Sequence, residues 1–444
     1  MKGLIFTYLL TYGGAAAALF NPFIGLLIYV AFAILRPESL WHWSVPEGNY
    51  SRIVAIGLLI GWALKGFGRW DFGRARPVVY ALLGYMLWMI VSASVNQDRG
   101  GAWEFVEASA KIVLPFLAAM TLIRSLDQLQ KLAWVIVVCQ GYVAYEMNLA
   151  YYGGYNILAE QGFAGMDNNC MAIAMVTGAG LAFFLGLGET IRWRQLLAFA
   201  CAALMTHCVL FSMSRGGMLA LIIMGGLSFF LIPKRPAHYL AFALAVALGL
   251  RLAGPQVVER FSSTFADENQ RDMSEQSRLS LWTSCWDAML KQPLAGVGPR
   301  QWPRIATEYG FTPGKEGHSL WLQTGAEMGF PGLGFLLAFY LVCINRLRVF
   351  LRPGAAETAP WSAGVARAVI ASLVGFMISA QFVSLPGLEL PYYIVIVGAG
   401  ILKLTATKRV ADTEAASDAA ADEQSLLAAA GVDGRSAPII SLST

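Results

Sequence analysis

The chain has 444 residues, of which 57% are hydrophobic and only 14% charged, with a formal net charge of +4 and a mean hydropathy of +0.56. A soluble domain carries roughly 25% charged residues, so this composition excludes an ordinary water-soluble fold and describes an all-α polytopic membrane protein. There is no basic tract and no zinc-finger spacing, which excludes nucleic acid as a partner.

A membrane-spanning helix needs about 20 apolar residues, fewer where it is short or broken. Taken in chain order, apolar runs fall near 4–19, 22–35, 52–67, 78–95, 105–123, 131–152, 169–187, 195–213, 216–232, 238–254, 319–345, 365–384 and 389–404. The first two are short, and 105–123 contains Lys111 and Pro115, so the expectation is about 12–13 spans. Ala15 to Ala18 imitate a signal-peptide cleavage region, yet only Lys2 precedes them and apolar sequence resumes after Asn21-Pro22. A retained helix pair or a broken helix is expected there.

Lys and Arg collect around Lys65 to Arg76, at Arg124 and Lys131, at Arg192 and Arg194, at Lys234 and Arg235, at Arg346 to Arg352, and at Lys403 to Arg409. These clusters alternate with the connections 36–51, 96–104, 153–168, 212–217 and 385–390, which are poor in them. By the positive-inside rule the clusters are cytoplasmic and the other connections face outward. One large periplasmic loop, 255–318, then joins the helix ending near 254 to the helix starting near 319. Two separate N-terminal helices put the N-terminus outside, and a single crossing puts it inside. Beyond Lys408 the chain turns rich in Ala, Asp, Glu and Ser, the composition of a disordered tail.

The six cysteines lie mostly within apolar runs and read as small core hydrophobes. No spacing suggests a metal site or a disulfide framework. Gly296-Val297-Gly298 lacks the Lys-Ser/Thr ending of an ATP-binding loop.

Several polar features fall on the predicted outward side. Asp167-Asn168-Asn169 opens a helix, where capping accounts for it; amides and carboxylates also bond sugar hydroxyls. Ser214-Arg215-Gly216-Gly217 joins two apolar runs with no room for a loop. A charge there either snorkels to the interface or serves a function. Within the large loop, Arg278 precedes Trp282, Cys285, Trp286 and Met289 at helical spacing, so an amphipathic helix is expected on the membrane or on the bundle. The Pro293-Leu294-Ala295-Gly296-Val297-Gly298 segment reads as an ordered turn that shapes the loop. His318 stands where the loop meets a helix, a suitable place for a general base, although a lone His is more often structural. Glu327, roughly 13 Å further along that helix, needs a hydrogen-bonding or charged partner.

In their order and spacing across about 165–345, these motifs resemble the O-antigen ligase and O-antigen polymerase superfamily. The match runs from Asp167-Asn168-Asn169 through Ser214-Arg215-Gly216-Gly217, Arg278 with Trp282 and the 293–298 turn to His318-Ser319-Leu320-Trp321-Leu322-Gln323 and Glu327-Met328-Gly329-Phe330-Pro331-Gly332. With Asn21-Pro22 and Arg36-Pro37-Glu38-Ser39-Leu40-Trp41, the chain is most similar to the O-glycosylation ligases associated with the exosortase A system. The resemblance implies an N-terminal membrane region over 1–164, a core over 165–345, further spans over 346–405 and a cytoplasmic tail over 406–444. It implies an enzyme of the bacterial inner membrane, with its site facing the periplasm, that needs no metal or nucleotide. Such an enzyme moves a glycan from undecaprenyl diphosphate to an acceptor protein, lipid or saccharide. By resemblance Arg215 and Arg278 grip the diphosphate and His318 takes the proton of the attacking hydroxyl. Asp167, Asn168, Asn169, Trp282 and Glu327 contact substrate. Ser319 stands where the ligase pattern has Asn. A polymerase of the same superfamily shares the donor chemistry, and a transporter of lipid-linked sugar remains a third reading. The latter predicts repeat-related halves, and the sequence has no internal symmetry.

Overall fold

A computed structural model describes residues 2–96, 100–232, 273–352, 359–384 and 388–406, with isolated positions between 236 and 251 and at 354. Among the described residues the chain is mainly helical, and the only β pairing there is an isolated bridge between Phe163 and Met166. It is an all-α polytopic membrane protein.

Nine helices are long and apolar enough to cross a membrane, among the described residues. We label the principal helices α1 (Lys2–Phe20), α2 (Pro22–Leu35), α3 (Tyr50–Leu64), α4 (Arg76–Val95), α5 (Gly100–Leu122), α6 (Leu126–Tyr152), α7 (Asn168–Gly188), α8 (Arg192–Phe211), α9 (Arg215–Leu231), α10 (Met273–Lys291), α11 (Leu320–Leu347), α12 (Pro360–Ser379) and α13 (Leu390–Ala406). Of these, α3, α9 and α13 are shorter apolar helices. Together they account for every expected span except 238–254, about half of which lies outside the described residues, as does the whole of 255–272, the first part of the expected periplasmic loop.

The N-terminus is a helix pair. Asn21 breaks the chain between α1 and α2, and its side chain caps α2 by accepting from Phe23 N–H at 3.2 Å. Gly14 lies against Ile28 and Gly25 against Ala18, so the two helices run antiparallel.

The hub of the bundle is α7, 83% of whose apolar window is buried. Small residues let its neighbours approach, as expected where lipid supplies no hydrophobic drive between helices. Gly178 faces Met205 of α8 and Gln140 of α6, and Gly180 faces Ser372 of α12. At one end of the bundle, Lys403 of α13 donates to the carbonyls of Met120 and Ile123, at 2.5 and 3.0 Å, where α5 ends. That end gathers Lys65–Arg76, Arg124 and Lys403, the Lys- and Arg-rich set.

The other end carries the polar features. Helix α11 starts there and is broken at Gly329, whose φ of 68° and ψ of −172° leave the helix. Pro331 follows, at a position where a missing N–H costs little. Every backbone group freed by the break must find a partner inside the protein. The 293–298 turn supplies most of them. Val297 N–H bonds the carbonyl of Ala326 and Gly298 N–H that of Glu327, both at 2.9 Å, while Phe330 N–H returns to Pro293 at 2.8 Å. From α4, Trp88 Nε1 donates to the carbonyl of Met328 at 2.9 Å and that of Leu294 at 3.2 Å. Ser92 Oγ bonds the carbonyl of Ala295 at 2.6 Å. The turn therefore shapes the loop by seating it in the broken helix.

Candidate functional site

Three helix N-termini meet at this end. Asp167 caps α7, accepting from Cys170 N–H at 2.7 Å. Ser214 caps α9 through Gly217 N–H at 3.2 Å, and Ser319 caps α11 through Leu322 N–H at 3.3 Å. The first two are tied together directly: Ser214 Oγ donates to Asn169 Oδ1 at 2.8 Å and Asn168 Nδ2 to the carbonyl of Ser212 at 2.9 Å. Exposed N–H groups and the positive end of the helix dipole make such termini sites for anions.

Arg215 is the first residue of α9 and is half-buried. The next residue, Gly216, leaves room for Phe382, whose ring a Cβ at 216 would press at 2.9 Å. Phe382 in turn lies 6.0 Å from the ring of Trp282 on α10. Trp282 Nε1 donates to the carbonyl of His318 at 3.3 Å. A chain of contacts thus runs from Gly216, the residue after Arg215, to the carbonyl of His318.

His318 is held at φ +49°, a conformation rare for a residue with a side chain and one that persists only where its surroundings enforce it. Here Gly317 N–H bonds Gln323 Oε1 at 2.8 Å on one side, and the Ser319 cap holds the other. Met213, beside Ser214, is also left-handed, at φ +58°. Desolvation pushes the His318 pKa below the ordinary imidazole value, and Arg278 and Lys315 push it the same way while Asp167 opposes them. These surroundings favour the neutral imidazole, the form that can accept a proton. Arg278, Lys315 and Asp167 are thus near enough for their charges to act on His318.

Glu327 stands apart from this opening. It is 5% exposed, and its carboxylate accepts Arg300 N–H at 2.9 Å and Gln323 Nε2 at 3.0 Å. Gln323 Nε2 also donates to Glu316 at 2.7 Å, and Gln323 Oε1 accepts from Ser384. Glu327 thus anchors the loop that carries His318. A cavity of about 50 Å³ lies beneath, lined by Tyr85, Gln323, Glu327, Tyr340 and Tyr392 among others.

The structure thus brings Asp167, Asn168, Asn169, Arg215, Arg278, Trp282 and His318 together, with Glu327 behind them. Sequence reasoning missed Lys315 and Phe382, and it placed Gln323 in the motif that starts at His318 without giving it a role. Lys315 carried a signal, as a cation three residues before His318; Phe382 was hidden in an apolar run. Among the described residues no group of three or more His, Cys, Asp or Glu side chains is placed to hold a metal ion.

No curated protein matches the chain. Residues 200–337, under half of its length, match the family model of the O-antigen ligases, and over that stretch, which holds Arg215, Arg278, Trp282, His318 and Glu327, the chain is similar to that family.

Proposed function

We propose that the chain is a glycan ligase of the bacterial inner membrane, working at the periplasmic face. It transfers an oligo- or polysaccharide from undecaprenyl diphosphate to an acceptor hydroxyl without a metal. The observation that carries this reading is the meeting of three helix N-termini, one of them headed by Arg215, at the end of the bundle where His318 lies within reach of the charges of Arg278 and Lys315. The helix ends and cations suit a polyanionic lipid head group, and the imidazole suits a hydroxyl nucleophile.

In this reading the acceptor oxygen attacks the anomeric carbon while its proton passes to the imidazole of His318. The bond from that carbon to the diphosphate oxygen breaks, and the charge left on the carrier is stabilised by Arg215 and Arg278. Guanidinium groups bind phosphate oxygens in pairs, and donors preset where charge develops need no rearrangement during reaction. Asn168 and Asn169 hold the α9 terminus and offer amides to sugar hydroxyls. Trp282 fixes the backbone of His318 and presents a ring to the sugar. Glu327 positions the loop through Gln323 and Arg300. The similarity to O-antigen ligases over 200–337 supports the same chemistry.

The test is expression in a host that accumulates undecaprenyl-diphosphate-linked glycan. The wild type is expected to deplete that pool and label an acceptor; Arg215→Ala, Arg278→Ala and His318→Ala, equally abundant in the membrane, are expected not to. One transferred chain per acceptor fits a ligase and a ladder of repeats a polymerase. Depletion by all three variants at the wild-type rate would refute the site.

A further inference from the structure

A second polar cavity, of about 30 Å³, lies on the other side of the segment leading into α7. Its walls include Arg36 at the end of α2, Gln140 of α6, Met166, and Leu388, Glu389 and Tyr393 at the start of α13. Met166 is the residue before Asp167, and Leu388 also lines the cavity beneath Glu327.

Its polar groups are incompletely used. Arg36 is the C-cap of α2 at φ +45°, a strained conformation for a long side chain. Among the described residues its guanidinium makes no hydrogen bond or ion pair, although it is near enough for its charge to act on Glu389. Gln140 is 4% exposed, yet among the described residues its only side-chain bond is to a thioether, Met175 Sδ, at 3.5 Å. A buried amide without a proper partner is costly in the folded state. Glu389 accepts from Tyr29 at 3.3 Å and from Tyr393, both through Oε2, which leaves Oε1 open.

The cavity thus offers donors on Arg36 and Gln140 and acceptors on Gln140 and Glu389, beside apolar and aromatic walls. The Glu389 carboxylate opposes a phosphate there. Hydroxyl groups, which donate and accept at once, satisfy the whole set. The volume admits one or two such groups, and Arg36, Met166, Leu388 and Glu389 are part-exposed at its rim. We propose that this cavity is a saccharide subsite that takes the hydroxyl edge of a sugar ring, in which Arg36 and Gln140 are the recognising residues. Its role in transfer rests on the ligase reading above; its occupancy does not.

The test uses the full chain in lipid nanodiscs and four free sugars, glucose, mannose, rhamnose and N-acetylglucosamine, with binding followed by saturation-transfer NMR. At least one sugar is expected to bind the wild type and to bind at least 10-fold more weakly to Gln140→Leu and to Arg36→Asn. Leu fills the space of the amide without a polar group, and Asn tolerates the left-handed backbone, so each variant is a separate route to the answer. Adding undecaprenyl-diphosphate-linked glycan then assigns the source: displacement of the sugar marks the donor's glycan, and simultaneous binding marks the acceptor. If none of the four sugars binds, or if binding survives both substitutions, the cavity holds water only and the proposal is overturned. Sugar binding without donor cleavage would refute the ligase reading and leave the subsite standing; donor cleavage without sugar binding would do the reverse.

Discussion

At the scale of single residues, the account turns on the protonation of His318. Desolvation, Arg278 and Lys315 all lower its pKa and Asp167 raises it, which makes each neighbour a handle on the pH–rate profile. Donor cleavage is expected to hold steady through neutral pH and to fall only at pH values below the ordinary imidazole range. Lys315→Met removes a cation and is expected to move that acid limb to higher pH. Asp167→Asn keeps a capping side chain but removes the opposing charge, and is expected to move the limb lower. A Lys315→Met profile that stays put or shifts toward acid would contradict His318 as the base. Stability follows the same sign. The unfolded chain binds the His318 proton more readily than the folded one, so this residue's contribution weakens the fold as pH drops through the ordinary imidazole value. The candidate residues themselves were legible in the sequence, because charged and amide groups at span boundaries are rare enough to stand out. What Glu327 does was not legible, since its partners are a backbone N–H at Arg300 and a side chain one turn earlier, at Gln323.

At the scale of elements, the broken helix α11 and the turn seated in it form one unit. A Cβ at Gly329 would overlap the carbonyl oxygens of Pro293 and Leu294, and the backbone there is left-handed. Gly329→Ala is therefore expected to lose about 2 kcal/mol or more of stability, read as a lower thermal unfolding midpoint in detergent. Trp88→Phe keeps the ring packing but removes the indole N–H that bonds the part-buried carbonyl of Met328, at a cost of about 0.5–1.5 kcal/mol. Unfolding midpoints unchanged from wild type would mean that the break is not held by the turn. The sequence marks 293–298 as an ordered turn, but the run 319–345 reads as one helix. Only pairing with residues about thirty positions earlier shows where Gly329 bends. Helix α10 makes the same point. Its spacing was readable, yet Cys285 and Met289 are buried while Trp286 is 46% exposed, so the stripe expected to share one face is split between the bundle and the surface beside Phe330.

At the scale of the whole molecule, hydropathy alone finds the spans, because twenty apolar residues in a row have few other uses. How they pack depends on small residues such as Gly178 and Gly180, whose close contacts no single sequence announces. The alternation of Lys and Arg predicts that the end holding Lys65 and the end holding Thr312 lie on opposite sides of the membrane. Both positions are exposed and the six native cysteines are buried or partly so, which keeps background labelling low. Lys65→Cys is expected to react only from the cytoplasmic side and Thr312→Cys only from the periplasmic side, with an impermeant maleimide. Reaction of both from one side would overturn the topology. The central claim is breakage of the sugar–diphosphate bond, and the most direct measurement follows the carrier. Purified chain in nanodiscs would be given undecaprenyl-diphosphate-linked glycan and a membrane extract as acceptor source, and the lipid analysed by mass spectrometry. The account predicts that wild type releases undecaprenyl diphosphate without its glycan and that His318→Ala does so about 100-fold more slowly or worse. Intact donor throughout, or equal release by wild type and His318→Ala, would contradict it.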